Sequence, residues 1–236
     1  MIREAGKLYL VPTPIGNMDD ITRRALEVLE HVDLVACEDT RHSGSFLKRL
    51  GLSKRLISYH DFNEARRAEQ LLSKIRQGMS VAVITDAGSP GISDPAYRIV
   101  QEAIAGSIDI VPLPGATAII PALSASGLPT DRFFFEGFLP QKSVARRKRL
   151  EQLKDFAHTL VFYESPHRVA KALIDMLAVL GDRRACLARE ISKLYEQFMR
   201  GSISDILLDL AEKPAKGEFV VIIEGIKTKE KIEKKL

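Results

Sequence analysis

The sequence predicts an α/β protein whose first part forms an open, doubly wound sheet of parallel strands. Short β-rich runs alternate with helical patterns, as expected where each strand is followed by a covering helix. Aromatic residues make up only 6% of the chain and Trp is absent, so aliphatic side chains must form most of the core. Such cores are typical of helices packed on buried parallel strands.

Five strands alternate with helices in the first part. The predicted strands are Lys7–Val11, Asp33–Cys37, Arg55–His60, Ser80–Thr85 and Ile108–Val111. The predicted helices are Ile21–Val32, Ser43–Leu50 and Ala65–Gln77, with two more beginning at Asp94 and Ala116. Asp94 can cap its helix and Pro95 suits the first turn. Right-handed crossovers between these strands would place the functional loops at the strand carboxyl ends.

A stretch of small residues at 124–129 breaks this alternation, and an aromatic strand follows it. We therefore expect a domain boundary near Gly127. The predicted organisation is an N-terminal domain at 1–127, a C-terminal domain at 128–226 and a charged tail at 227–236. A chain of 236 residues is long enough for two domains of ordinary size.

The second part reads as a further α/β unit. Its predicted strands are Phe133–Leu139, Thr159–Tyr163, Ala185–Glu190, Tyr195–Gly201 and Phe219–Glu224. Its predicted helices are Ser143–Asp155, Pro166–Leu180 and Ser202–Lys213. Each of the two domains is expected to contain a mixed or mainly parallel sheet with flanking helices.

Composition excludes several classes of protein. The two cysteines, Cys37 and Cys186, are far apart and show no metal-ligand spacing, which predicts neither a disulfide scaffold nor a metal site. Apolar stretches end well before 18 residues and the N-terminus lacks the pattern of a signal peptide, so we expect a cytoplasmic protein without a membrane span. The glycine-rich signatures of dinucleotide and P-loop proteins and the signatures of zincins and α/β-hydrolases are absent.

The positive charge lies in the second part of the chain. The formal net charge is +4, divided as −1 over residues 1–127 and +5 over residues 128–236. This imbalance is compatible with a polyanionic partner such as nucleic acid, although ordinary proteins can be equally basic.

Three loops rich in Pro and Gly follow the first, fourth and fifth strands. They read VPTPIGN at 11–17, TDAGSPG at 85–91 and PLPGAT at 112–117. Pro fixes φ while Gly allows a ligand to approach the backbone, so such loops form rigid walls with few side chains. These walls suit a flat, nucleoside-like ligand bound through main-chain groups, although any one loop could simply turn the chain.

A series of motifs in order along the chain makes the resemblance specific. The motifs VPTPIGN, CEDTRHSG, DAGSPGISDP, VPLPGATA, FFFEGFLP, FYESPHR and ARE-ISK-YE span residues 11 to 196. The chain thereby resembles the rRNA cytidine-2'-O-methyltransferases within the tetrapyrrole methylase superfamily. The resemblance implies two α/β domains, a cleft between them for S-adenosylmethionine, small-subunit ribosomal RNA as the substrate, and a homodimer.

The resemblance also assigns residues to the cofactor. The matching positions are Pro12, Thr13, Pro14, Gly16, Asn17, Asp86, Ala87, Gly88, Ser89, Pro90, Ala116 and Thr117. The chain departs from the family pattern at Ser89, usually Thr, and at Ala96, often Gly. A hydroxyl is kept at position 89, so only details of that loop are affected.

Further polar clusters follow predicted strands and match family motifs. The candidate substrate-binding residues among them are Glu38, Asp39, Arg41, His60, Asn63, Glu64, His167, Arg168 and Arg189. A ribose hydroxyl is a poor nucleophile, so a carboxylate or neutral amine could accept its proton. The candidates for this catalytic role are Glu164, Glu190 and Lys193. Salt bridges or helix caps would explain several of these residues equally well.

One helix carries a basic face. Lys142, Arg146 and Arg149 recur at helical spacing, so they share one side of the helix predicted from Ser143. This face could neutralise RNA phosphates, or it could be a solvated surface.

Methyl transfer from a sulfonium is an in-line displacement, so the main task of the enzyme would be alignment in a closed cleft, without a metal. Two other functions remain open. Methylation of a tetrapyrrole carbon shares the superfamily fold, and a non-catalytic ribosome-assembly factor could keep the fold and bind RNA. The RNA-methylase motifs and the intact cofactor loops favour the RNA methyltransferase.

Overall fold

The computed structural model describes residues 6–60, 62–94, 96–212 and 216–226, so the predicted charged tail at 227–236 lies outside the described residues. The first five strands are β1 (Leu8–Leu10), β2 (Leu34–Cys37), β3 (Leu56–Ser58), β4 (Val81–Val83) and β5 (Ile110–Pro112). The first four helices are α1 (Arg23–His31), α2 (Thr40–Arg49), α3 (Glu64–Arg76) and α4 (Ala96–Ala105).

The first sheet has the order β3-β2-β4-β1-β5, and every pairing in it is parallel. Helices α3 and α4 pack on one face, where Leu71 and Ile99 meet Leu8 and Val81. Helices α1 and α2 pack on the other face, around Leu29. The predicted open, doubly wound parallel sheet is therefore confirmed. The loops that follow its strands all lie at the carboxyl edge of the sheet.

The remaining elements form a second sheet with its own helices. They are α5 (Ile119–Ala125), β6 (Phe133–Phe138), α6 (Ser143–Leu153), β7 (Thr159–Glu164), α7 (Val169–Leu180), β8 (Arg184–Arg189), β9 (Gln197–Ser202), α8 (Ile203–Glu212) and β10 (Phe219–Ile223). The strand order is β6-β7-β10-β8-β9. Only β6 and β7 pair in parallel, so this sheet is mixed. Helices α6, α7 and α8 cover one face around the buried Phe162.

The strands agree with the sequence prediction, since all ten are present with ends within two residues of the expected ones. Helices α5 and α7 begin three residues later than predicted, at Ile119 and Val169, whereas α2 begins three residues earlier, at Thr40 rather than Ser43. The Asp39 carboxylate accepts a hydrogen bond from the Arg41 backbone N–H at 2.8 Å and thereby caps the helix earlier. No helix among the described residues is both long and apolar enough to cross a membrane.

The chain divides into two compact units between Thr117 and Ala118, whereas the sequence places a boundary near Gly127. Helix α5 accounts for the difference, because it packs against β10 of the second unit. Its last carbonyl, that of Ala125, accepts hydrogen bonds from the Arg200 guanidinium at 2.6 and 3.1 Å. A cation at this end of a helix is favourable, so α5 is held to the second sheet.

Candidate functional site

The loops after β1, β4 and β5 are bonded to one another at the carboxyl edge of the first sheet. Thr13 and Gly88 exchange two backbone hydrogen bonds of 2.9 and 3.0 Å. The Ser89 hydroxyl donates to the Ala116 carbonyl at 3.0 Å, and the Thr13 hydroxyl donates to the Thr85 carbonyl at 3.1 Å. The predicted meeting of these three loops is therefore confirmed, while their role toward a cofactor stays a prediction.

Two glycines allow this close approach. Gly88 has φ of +86°, in the left-handed region that favours glycine. Gly115 needs its missing side chain for a different reason, because a Cβ atom there would lie 2.5 Å from the Pro12 Cβ. The Pro12 ring is rigid and buried, so it cannot give way easily.

We expect Gly115→Ala to separate the loops that carry Pro12 and Ala116. The contact resembles overpacking in a core, which costs about 1–3 kcal/mol in the free energy of unfolding. Cofactor affinity should fall as well, because Ala116 belongs to the displaced loop. Denaturant unfolding and calorimetric titration with S-adenosylmethionine measure the two effects. Gly44→Ala is the control, since a Cβ there would meet only Leu56 Cδ1 at 3.5 Å; equal behaviour of the two variants would contradict the prediction.

The predicted cofactor residues divide into three groups by exposure. Those that are buried and hold the loops together are Pro12, Thr13, Gly88 and Pro90. Those that remain exposed at the edge are Gly16, Asn17, Asp86 and Ala87, while Pro14, Ser89, Ala116 and Thr117 are half-buried. The Asn17 side chain accepts from the Asp19 backbone N–H and caps a short 3-10 turn. The exposed group is thus a wall of backbone with a single carboxylate, that of Asp86.

The loop between β2 and α2 contributes charged side chains to the same edge. His42 Nδ1 lies 3.3 Å from Asp86 Oδ1, and both side chains are about half exposed. Asp39 caps α2, and hydrogen bonds from Arg41 hold the pKa of the Asp39 carboxyl well below its usual range. Glu38 lies half-buried between β2 and this cap. His42 lies within the motif at 37–44 but is not among the predicted site residues. Its contact with Asp86 could not be predicted, because the two residues are far apart in the sequence.

The loop between β3 and α3 is a closed turn. The Asn63 carboxamide accepts from the His60 backbone N–H at 3.1 Å, and its nitrogen lies 2.9 Å from His60 Nε2. Glu64 begins α3 and lies 3.6 Å from Arg98 of α4. His60, Asn63 and Glu64 therefore build this turn, and Phe62 at its tip is exposed. Phe62 is not among the residues predicted from the sequence, since the exposure of an apolar side chain cannot be read from sequence alone.

In the second sheet the motifs meet at the edge where β6, β7 and β8 end. Glu164 of β7 pairs with Phe219 of β10, which in turn pairs with Arg189 of β8. The three residues lie at one level across adjacent strands, so the turns after β7 and β8 leave the same edge. His167 is exposed in the first turn, and the Arg189 guanidinium donates to the Lys216 carbonyl at 2.7 Å.

Glu164 is sealed from solvent. Its side chain is fully buried, and one carboxylate oxygen lies 3.2 Å from Arg168 Nη2. The other oxygen accepts from the Ser165 backbone N–H at 3.2 Å. Burial raises the pKa of Glu164, although Arg168 opposes the shift. Glu164 and Arg168 thus form a buried ion pair beneath the edge.

Glu190 and Lys193 form a second, more open ion pair. Lys193 Nζ lies 3.0 Å from a Glu190 oxygen and 2.8 Å from a Glu218 oxygen. Burial opposes the charge on Lys193, but these two carboxylates outweigh it and raise the pKa of Lys193. Burial would raise the pKa of Glu190, but hydrogen bonds from the Glu218 backbone and Lys193 lower it. These contacts favour a charged Lys193 beside an ionised Glu190, and the catalytic role of both residues stays a prediction.

The turn that holds this ion pair is strained. Glu190 adopts φ of +50° and Ser192 φ of +69°, which non-glycine residues rarely do. Gly217 has φ of +89°, and a Cβ atom there would lie 2.4 Å from the Glu190 carboxyl carbon. Strain of this kind persists only where the surroundings fix it, as at functional sites.

The predicted basic face of α6 is not a continuous surface. Arg146 is 4% exposed and its guanidinium binds the buried Asp175 at 2.6 and 2.8 Å. Arg149 makes two hydrogen bonds to the Glu136 carboxylate, at 2.6 and 2.7 Å. Lys142 is exposed at the start of the helix. The helical spacing is as predicted, but it points Arg146 toward α7, where only a paired charge is tolerated.

Two guanidiniums, one buried and one partly exposed, fix the loop between β6 and α6. Arg146 donates to the Gln141 carbonyl at 3.1 Å, and Arg168 donates to the Leu139 carbonyl. Both arginines are thereby engaged in holding this loop. Within the described ranges, no group of three His, Cys, Asp or Glu side chains is placed to hold a metal ion.

Comparisons with known proteins agree with these observations. Residues 7–207 match the family model of tetrapyrrole (corrin/porphyrin) methylases. "Ribosomal RNA small subunit methyltransferase I" of Escherichia coli O157:H7 is 50% identical over 228 residues, which are 95% of this chain and 80% of the relative. The protein of the same name from Haemophilus influenzae is 50% identical, with 93% of this chain and 79% of the relative covered.

Solved structures share the fold at low sequence identity. The methyltransferase CobJ superposes with a TM-score of 0.70 at 20% identity, covering 93% of this chain and 94% of that one. Diphthine synthase superposes with a TM-score of 0.71 at 15% identity, covering 93% and 90%. These likenesses concern the fold alone.

Proposed function

Because the chain belongs to the tetrapyrrole (corrin/porphyrin) methylase family, we propose that it transfers a methyl group from S-adenosylmethionine to the 2'-hydroxyl of a cytidine ribose in small-subunit (16S) ribosomal RNA. The observation that carries this proposal is the 50% identity, over 95% of the chain, to a ribosomal RNA small subunit methyltransferase I. We also propose that the protein acts as a homodimer in the cytoplasm.

The exposed edge of the first sheet fits the proposed cofactor. When bound, S-adenosylmethionine supplies a methyl group attached to a positively charged sulfur. Because the sulfur is already a good leaving group, the transfer needs no metal. The backbone of Gly16 and Ala87 would hold the flat nucleoside part, and Thr117 would offer a hydroxyl at the start of the next segment. Asp86 would place its carboxylate toward the positive charge.

In this proposal, each of the three candidate catalytic residues of the second sheet has a different role. These residues are Glu164, Glu190 and Lys193. Glu190 is a carboxylate at neutral pH and would accept the proton of the ribose hydroxyl as the new bond forms. The Lys193 ammonium would orient Glu190 by its 3.0 Å hydrogen bond. Glu164 would act with Arg168 beneath them, since burial leaves it no direct access to substrate.

The remaining candidate residues would hold RNA by charge. Arg41, Lys142 and His167 are exposed, so they could approach phosphates without first breaking a buried pair. Arg149 and Arg189 are already hydrogen-bonded within the chain and would have to share their guanidiniums. Glu38, Asp39, His60, Asn63 and Glu64 would shape the loops beside the cofactor edge.

We expect the purified protein to label small-subunit ribosomal RNA from a strain that lacks it, using S-adenosylmethionine with a radioactive methyl group. Nuclease digestion and mass mapping should locate the methyl group on a cytidine ribose. RNA from a strain that contains the protein is the matched control and should accept little label. Labelling of both RNAs to the same extent would contradict the proposal.

The same assay separates the two alternatives. A reduced porphyrinogen added in place of RNA would accept the methyl group if the substrate were a tetrapyrrole. A non-catalytic assembly factor would bind RNA without labelling it. The motifs at 37–44 and 162–168 favour RNA over a tetrapyrrole, and the intact loops at 12–17 and 86–91 favour catalysis.

A further inference from the structure

We propose that Phe62 is a stacking platform for an unpaired base of the RNA substrate, a role that rests on the proposed function. Phe62 is 98% exposed, more than any other large hydrophobic residue in the described part of the chain. A fully exposed Phe ring gains nothing from burial within its own chain, so its position needs another explanation.

The exposure of Phe62 is built into a well-anchored turn. The Asn63 carboxamide closes the turn onto His60 through contacts of 2.9 and 3.1 Å, and its nitrogen also donates to the Ser58 carbonyl at 3.4 Å. The imidazole of His60 meets the edge of the Phe62 ring, with centroids 6.0 Å apart. The ring is therefore presented outward between two anchored residues, His60 and Asn63.

The neighbouring elements fix both ends of this turn. Before it, the buried Tyr59 donates its backbone N–H to the Cys37 carbonyl at 2.8 Å, and its side chain is hydrogen-bonded to the backbone of Ile99. After it, Glu64 lies 3.6 Å from Arg98. Phe62 consequently extends from the same carboxyl edge as the proposed cofactor loops. Such preorganisation lowers the entropy that must be lost on binding.

A positive charge close to Phe62 in the sequence favours RNA as the occupant. Arg66 follows four residues later in the first turn of α3, and its exposed side chain makes no hydrogen bond or ion pair with any residue that the structure describes. An exposed aromatic ring followed within one helical turn by an exposed guanidinium matches a base and its phosphate. A second copy of the chain, bound through Phe62, is the alternative outcome of the test.

The absence of Trp from the chain allows a direct optical test. Phe62→Trp introduces a single Trp, and a short single-stranded oligoribonucleotide of mixed sequence should quench its fluorescence in a saturable manner. The control is Leu208→Trp, whose site on α8 is 69% exposed. If the fluorescence of the Phe62→Trp variant stays unchanged at saturating oligoribonucleotide, the proposal is overturned.

The KM for RNA and the salt dependence of RNA binding separate the contribution of stacking on Phe62 from that of the charge on Arg66. Phe62→Ala should raise the KM for small-subunit ribosomal RNA about 5- to 150-fold, the effect of one stacked base, and leave the affinity for S-adenosylmethionine unchanged. Its RNA affinity should keep the wild-type salt dependence. Arg66→Ala should instead reduce that slope by about 0.7 log units per log unit of salt, as expected for one phosphate contact to a single strand. Leu208→Ala should behave as wild type.

The outcomes distinguish this proposal from the proposed function. A wild-type protein that methylates ribosomal RNA, with Phe62→Ala equally active, overturns stacking and leaves the proposed function intact. Loss of dimer mass by light scattering in Phe62→Ala overturns stacking in favour of an interface between two copies. A wild-type protein that transfers no methyl group to RNA contradicts the proposed function. The fluorescence titration of the Phe62→Trp variant then still decides whether an RNA base stacks on this position.

Discussion

Asp86→Ala is expected to lower kcat/KM for methyl transfer about 100-fold or more while leaving the fold intact. Asp86 is the exposed carboxylate at the end of β4, and it would be the nearest counter-charge of the first sheet to a bound sulfonium compound. Its 3.3 Å contact with His42 joins two half-exposed side chains, so removing it should cost less than about 1 kcal/mol of stability.

Calorimetry in the presence of a chelator should show a matching loss of affinity for S-adenosylmethionine. Asp86→Asn keeps the volume and removes the charge, so it should lose nearly as much affinity as the Ala variant. Glu69→Ala is the control, since Glu69 is exposed on the outer side of α3. Turnover near the wild-type rate in Asp86→Ala would remove Asp86 from the site, and binding that requires an added divalent ion would contradict a metal-free cofactor site.

Asp175→Asn is expected to destabilise the second unit by about 3–5 kcal/mol, because it removes the counter-charge of a buried cation. Asp175 and Arg146 are 4% and 5% exposed at their side chains, and Asp175 also accepts from Ser143 and Arg147. The Asn variant leaves the Arg146 guanidinium buried without an anion. Urea unfolding monitored by circular dichroism measures the loss.

Three further variants help to interpret the stability of Asp175→Asn. Asp209→Asn, on the exposed side of α8, should change stability by no more than about 0.5 kcal/mol. The double variant Arg146→Met with Asp175→Leu should recover much of the loss, because apolar pairs often replace buried ion pairs without cost. Arg146→Met alone should keep the wild-type salt dependence of RNA binding. If the urea midpoints of Asp175→Asn and Asp209→Asn are equal, the ion pair between Arg146 and Asp175 contributes no stability.

The dependence of this effect on pH follows from the pKa of Asp175. Burial raises that pKa, but hydrogen bonds from Arg147, Ser143 and Arg146 outweigh it and lower the pKa below its usual value. The stabilisation is therefore fully present above the unfolded value of about 3.9 and is lost as the pH falls through the folded value. The difference between wild type and Asp175→Asn should narrow below about pH 4.

Local sequence determined the elements and the order of the candidate motifs. Alternating β-rich and helical patterns are set by neighbouring residues, so the strands could be placed to within two residues. Once the first sheet was read as parallel, strand direction alone brought the loops at 11–17, 85–91 and 112–117 to one edge. The unit boundary could not be placed in the same way, because the Ala125 carbonyl is held by Arg200, a residue distant in sequence.

Tertiary structure decided which side chains are free to act, because burial and pairing depend on residues far apart in the chain. Helical spacing places Arg146 beside Lys142, but only packing against α7 shows that Arg146 is bound to Asp175. Lys193 is kept charged by Glu218, which lies 25 residues away. Phe62 lies in solvent at the turn closed by Asn63, which its residue type does not indicate, since hydrophobicity alone does not fix where a side chain points.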